Sequence, residues 1–166
     1  DESDEDTISA NRTNLVPLLW HSSQATTDEA SLARFLAFCD QAGQQPVLSL
    51  HPDSFTPGFI ALLSSIPSPP LVTLASRENE NPISGYRSLA ASLSIHQLPF
   101  PIWIQNNTDN LLFSEDNTFS SRLLDSSILS GSLLCDGIGD ILSVEHTGAL
   151  NRNRGLAYNL LQGARA

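Results

Sequence analysis

The sequence predicts an α/β protein of repeated βα units around a parallel sheet. Short apolar runs alternate with longer stretches of helical period, four to five times along the chain. The short runs are continuous rather than alternating apolar and polar, as in strands covered by helices on both faces. Length then limits the architecture. A full eight-fold barrel takes about 250 residues and at least about 200. The 166 residues here hold about five or six βα units. The expectation is an incomplete or degenerate TIM-barrel-like domain, or an open sheet.

Residues 1–14 are acidic and rich in Ser, Asn and Thr, without periodicity, and read as a flexible linker. Residues 15–166 read as one α/β domain. Leu15 to Trp20 is a first strand, with Pro17 acceptable at a sheet edge. Thr26-Thr27-Asp28-Glu29 has the pattern of a capping box. Leu32, Phe35, Leu36 and Cys39 follow at helical spacing, and Gly43 ends that helix. Val47 to His51 is the second strand. Thr56 with Pro57 opens the second helix, striped by Phe59, Leu62, Leu63 and Ile66 and stopped by Pro67. Leu71 to Ala75 is the third strand, followed by a polar loop from Arg77 to Asn81.

Ser84 is expected to cap a third helix, with Tyr86, Leu89, Ala90 and Leu93 as its apolar stripe. Pro99 and Pro101 bracket the entry to a fourth strand, Ile102 to Gln105. Leu111 to Phe113 is an apolar island in a polar stretch, read as a small hairpin. A helix is expected from Thr118 to about Ser130. Leu133 to Cys135 then reads as the end of a buried strand, with Asp136 and Gly137 turning out of the sheet at its functional rim. Ile141 to Val144 is a further short strand, and Leu156 to Arg165 a closing helix.

Composition excludes some functions. The formal charge is −10, and all 8 basic residues are arginine. Phosphate contacts need clustered positive charge, so an acidic chain without lysine is a poor partner for nucleic acid or an anionic membrane surface. No apolar run approaches the ~20 residues of a membrane span. Cys39 and Cys135 lie far apart, each within an apolar pattern, and read as buried small hydrophobes. The tripeptides Asn11-Arg12-Thr13 and Asn106-Asn107-Thr108 match the glycosylation pattern, a short match that arises by chance. The chain contains no methionine and stops directly after its last helix, which suggests a piece of a longer protein.

The candidate chemistry is sparse. His21 and His51 each follow a strand. If Asp136 shares their rim, the three form a two-histidine, one-carboxylate metal set; otherwise they are rim residues that never meet. His96 reads as a capping or solvated residue in a helix tail, and His146 as exposed in a loop. Asp136 and Asp140 would need to converge for paired acid–base work. Ser130-Gly131-Ser132 precedes its strand instead of following one, so it is no nucleophile elbow. Arg152, Arg154 and Arg165 form the one basic cluster, read as a solvated helix face or an anion contact.

Leu133-Leu134-Cys135-Asp136-Gly137-Ile138-Gly139-Asp140 resembles a stretch of the three-domain 4-hydroxy-3-methylbut-2-en-1-yl diphosphate synthases. Tyr158-Asn159-Leu160-Leu161-Gln162-Gly163-Ala164-Arg165 resembles a second stretch that follows in the same family, and Arg154 falls where an arginine opens that segment. The two motifs cover about the last 35 residues. The resemblance implies the inserted, barrel-like middle domain of an isoprenoid-pathway oxidoreductase. The parent would reductively open 2-C-methyl-D-erythritol 2,4-cyclodiphosphate to 4-hydroxy-3-methylbut-2-enyl diphosphate. It would carry a four-iron, four-sulfur cluster on a C-terminal domain and take electrons from ferredoxin or flavodoxin. By the same resemblance it would work in the bacterial cytoplasm or the plastid stroma, the first being favoured. The cluster ligands and the substrate's diphosphate-binding residues would lie in the flanking domains. No catalytic, cofactor or metal residue is therefore assigned here, and neither Cys39 nor Cys135 matches a family ligand. The segment would act as a structural spacer. The alternatives are an independent metal-dependent barrel enzyme using His21, His51 and Asp136, or a regulatory or electron-donor contact domain.

Overall fold

The computed structural model describes residues 18–21, 29–77, 79–106, 119–144 and 150–163. The first unit runs from β1 (Leu18–His21) through α1 (Glu29–Ala42) to β2 (Pro46–Leu50). A one-turn 3-10 helix (Pro52–Ser54) and α2 (Pro57–Ser64) lead to β3 (Leu71–Leu74). Then come α3 (Pro82–Ile95), β4 (Trp103–Asn106), α4 (Phe119–Cys135), β5 (Ile141–Val144) and α5 (Leu150–Gly163). All described strand pairs are parallel, in the order β1-β2-β3 and β4-β5, and one parallel bridge, Val72 to Ile102, joins the two parts. The chain is thus a run of βα units with strands in sequence order, a partial TIM-barrel-like α/β fold.

Burial explains the strand composition. Every residue of β2 is buried, as a strand between two parallel neighbours and two helical layers must be. β1 and β4 alternate instead, so the expectation of continuous burial fails there. The core is one cluster in which Leu32, Leu48, Leu50, Phe59, Leu63, Val72, Tyr86, Leu89, Ile104, Leu129 and Leu133 lose nearly all contact with water.

The helix ends follow from local chemistry. The Thr56 hydroxyl accepts from the Phe59 amide at 3.2 Å, and Pro57 sits where its missing N–H costs nothing. Glu29 accepts a 3.0 Å hydrogen bond from Thr56 rather than closing only its own helix. The other capping-box residues, Thr26 to Asp28, lie outside the described residues. Ser84 is not the cap of α3. Asn81 is, accepting from Ile83 and Ser84 amides, because Pro82 fixes the first helical position.

The largest departure from expectation concerns Leu133 to Cys135. These residues are the last turn of α4, not a strand. Leu129 and Leu133 fall at i, i+4 on the buried face, so the helical period continues through the apolar run. The helix closes on Gly137: its amide reaches the Leu134 carbonyl at 3.0 Å, and the Ile138 amide reaches Leu133 at 2.9 Å. Gly137 and Gly139 have φ of +75° and +112°, and a Cβ on Gly139 would press into Ile104. Asp136 therefore stands before β5, at the N-terminal end of the sheet and away from the functional rim. Asp140 then clamps that end. Its carboxylate accepts from the Ile102 amide at 2.8 Å, and its own amide donates to the Ile102 carbonyl at 2.8 Å.

Other boundaries shift less. The helix expected at Thr118 to Ser130 runs from Phe119 through Cys135, and the closing helix starts at Leu150. His51 falls just beyond β2. The linker 1–14, the start of the first strand, the island Leu111 to Phe113, His146 and Arg165 lie outside the described residues.

The two parts of the sheet are sewn together by a side chain. Val72 of β3 donates its amide to the Pro101 carbonyl at 2.9 Å. Beyond that bond the ladder is replaced by the Tyr86 hydroxyl. It donates to the Trp103 carbonyl at 3.1 Å and accepts from the Gln105 amide at 3.0 Å. Thr73 Oγ1 lies 3.1 Å away, and the Leu74 backbone also bonds to the hydroxyl. A carbonyl at one residue and an amide two residues on are what a parallel neighbour would bond. The phenol takes that neighbour's place.

Burial pushes the Tyr86 phenol above its ordinary value, partly offset by hydrogen bonds from Thr73 and the backbone at Gln105 and Leu74. A raised folded value means that the hydroxyl's stabilisation is complete below the ordinary tyrosine pKa of about 10 and is lost as pH climbs through the folded value. Tyr86→Phe is expected to cost about 1–3 kcal/mol, since it strands a buried carbonyl and amide. Urea unfolding should show this at neutral pH, and the wild-type loss of stability above pH about 10 should be smaller in the variant.

Candidate functional site

In parallel α/β sheets, ligand-binding side chains gather beyond the carboxyl ends of the strands. At that end His51 leaves β2 and caps the 3-10 turn that follows. Its side chain is 7% exposed. Nδ1 accepts from the Asp53 amide at 3.2 Å, which assigns the ring proton to Nε2. Nε2 then donates to Glu80, 3.0 Å away, in the loop after β3. Asp53 Oδ2 stands 3.3 Å from Nδ1 and 2.6 Å from Arg77 Nη1. The four side chains tie the loop after β2 to the loop after β3.

The arrangement is a latch more than a reaction centre. Both imidazole nitrogens are engaged, Nδ1 by the Asp53 amide and Nε2 by Glu80. The Arg77 guanidinium, bonded to Asp53, holds that carboxyl below its ordinary value; slight burial opposes this, and the Arg77 charge adds to it.

The sequence-derived metal set does not assemble. His21 is the exposed last residue of β1, and His51 follows β2. Asp136 lies at the opposite end of the sheet, where Arg87 Nη2 and Nε each reach its Oδ2 at 2.7 Å. Asp136 and Asp140 also part: one pairs with α3, the other caps the start of β4. His96 is the C-cap of α3 and stacks on Phe55, ring centroids 5.8 Å apart. Ser130 packs inside α4 and accepts from Asn106 Nδ2 at 2.8 Å. Arg152 and Arg154 lie in α5. Cys39 is buried in α1, which raises its thiol pKa, and Cys135 is exposed at the end of α4.

Sequence reading missed Asp53, Arg77 and Glu80. A signal was present: acidic Asp53 follows one strand and basic Arg77 follows its neighbour, and loops after adjacent parallel strands face each other. The buried polar group of Asn106, Asp125, Ser126 and Ser130 at β4 and α4 was missed as well. No helical period announces it.

Among the described residues no group of three His, Cys, Asp or Glu side chains gathers as a metal site requires. The chain's 2 cysteines are also too few for a cluster held by about four thiolates. The residues present do not fit such a group. No described helix is long and apolar enough to cross a membrane.

No protein-family model matches the chain. Over 87 residues it is 32% identical to a protein of Chlorobaculum tepidum named 4-hydroxy-3-methylbut-2-en-1-yl diphosphate synthase (flavodoxin). The matched stretch is 52% of this chain and 11% of the relative's length. That likeness relates the chain to the synthase without reaching the rest of it.

The latch has a titration signature. A lowered folded value means that Asp53 stabilises the fold above the ordinary carboxylate pKa, and that this is lost as pH falls through the folded value. A carbonyl-carbon NMR titration should place the Asp53 midpoint below about 3.9, and Arg77→Gln should return it toward that value. An unchanged midpoint in the variant would show that the ion pair does not form in solution.

Proposed function

We propose that this chain is the inserted middle segment of a longer 4-hydroxy-3-methylbut-2-en-1-yl diphosphate synthase, and that it works there as a rigid spacer. The observation that carries the reading is the 32% identity over 87 residues to the synthase of Chlorobaculum tepidum. The segments at Leu133–Asp140 and Tyr158–Arg165 support it by their resemblance to that family. The parent would be an oxidoreductase of isoprenoid synthesis. It would convert 2-C-methyl-D-erythritol 2,4-cyclodiphosphate to 4-hydroxy-3-methylbut-2-enyl diphosphate in the bacterial cytoplasm. Its electrons would come from a donor such as flavodoxin, and its cluster from a domain outside this chain.

The side-chain pairing fits a spacer. Charged groups at both ends of the sheet hold elements together: His51 with Asp53, Glu80 and Arg77 at one end, Asp136 with Arg87 and Asp140 with Ile102 at the other. A segment that sets the reach between two domains needs stiffness, because a displacement of about 1 Å at a reacting centre can cost about a hundredfold in rate.

Two experiments test this. In the Chlorobaculum synthase, the matching 87 residues are replaced by those of this chain, or deleted. The chimera should keep its reductive activity within about tenfold, and the deletion should lose about a hundredfold while still holding its cluster. A deletion as active as the parent ends the spacer reading. The 166-residue chain, reconstituted anaerobically with iron and sulfide, should stay colourless; a brown product with stoichiometric iron would contradict it.

A further inference from the structure

At the end of the sheet away from His51, a cleft of about 520 Å³ opens between the C-terminal ends of α1 and α2. Its volume falls in the range of small-molecule sites. Its lining is mostly apolar, with Leu36, Leu62, Ile66 and Pro67 in it, and Asp40, Gln44, Gln45, Ser65 and Ser68 add polar groups. Ala33 and Ala37, one helical turn apart on α1, are small enough to leave the space open.

Its electrostatics have one sign. The C-terminal turns of both helices reach it, through Gly43 after α1 and Ser65 after α2. Each such end carries roughly half a negative charge. Asp40 adds a full carboxylate, and among the described residues no Lys, Arg or His lines the cleft. Cys39 is neutral there, because burial pushes its thiol up. The chain's formal charge of −10 adds a long-range field of the same sign.

We propose that this cleft binds a small molecule with a compact apolar body and a protonated amine head. The body fills the alanine-lined space, and the head lies toward Asp40 and the two helix ends. An anion of the same shape keeps the apolar contact against repulsion from Asp40, and a neutral isostere keeps the apolar contact alone. The proposal does not depend on the spacer reading, since the cleft belongs to the βα scaffold itself.

The test uses the 166-residue chain in amide NMR titrations with 2-phenylethylamine, 2-phenylethanol and phenylacetate. The amine should give saturable shifts at Gly43, Gln45 and Ser68. It should bind about fivefold tighter than the alcohol, the gain of one solvent-exposed ion pair, and phenylacetate should bind weakest. Ala37→Trp, which fills the cleft from an exposed helix position, should abolish the shifts with the rest of the spectrum intact. Asp40→Asn should bring the amine's affinity close to the alcohol's. The proposal falls if no saturable shift appears, if the three compounds bind alike, or if the amine's shifts survive in the Ala37→Trp protein.

Discussion

One buried hydroxyl holds this sheet together. Between β3 and β4 the backbone ladder runs for a single bridge, and then the Tyr86 phenol takes the bonds that a continuing strand would have made. The substitution works because a hydroxyl can donate and accept at once. One oxygen thus satisfies the Trp103 carbonyl and the Gln105 amide while meeting Thr73 and Leu74 from the other side. Losing those bonds would cost about 1–3 kcal/mol. The ring also belongs to the core, fully buried beside the leucines of α3. A helix residue is therefore part of the sheet, and α3 cannot move without opening the seam.

The opposite device operates at the N-terminal end of β4 and β5. There the turn Asp136 to Asp140 carries the chain from helix to strand, and the Asp140 carboxylate pins the Ile102 amide. The turn that attracts attention in the sequence as a rim motif is thus a joint. Its glycines serve left-handed backbone and a close approach to Ile104. With the His51 latch at the far end, the scaffold is fastened at three places by side chains.

What was legible in the sequence follows from the range of the interactions. Thr56-Pro57, the stripe of Phe59 and Leu63, and Gly43 after Cys39 are local signals, and each marks its element correctly. The order of βα units was legible because strand and helix periods differ over long windows. Leu133 to Cys135 was misread because three apolar residues before Asp-Gly suit a strand end and a helix end equally, and only Leu129, one turn back, separates the two. The Tyr86 seam and the His51 latch join residues on different βα units. Opposite charges at Asp53 and Arg77 hint at the latch, but no such local pattern marks the Tyr86 contacts.

The central claim is that β1–β3 and β4–β5 form one cooperative unit through Tyr86. Native-state hydrogen exchange at the Gln105 amide tests it most directly, because that amide donates to the phenol and not to a strand. In low denaturant it should exchange only through global unfolding, with the same opening free energy as the Leu48 amide in β2. Exchange of Gln105 through a cheaper local opening, with Leu48 still protected, would show two separately held sheets and contradict the account.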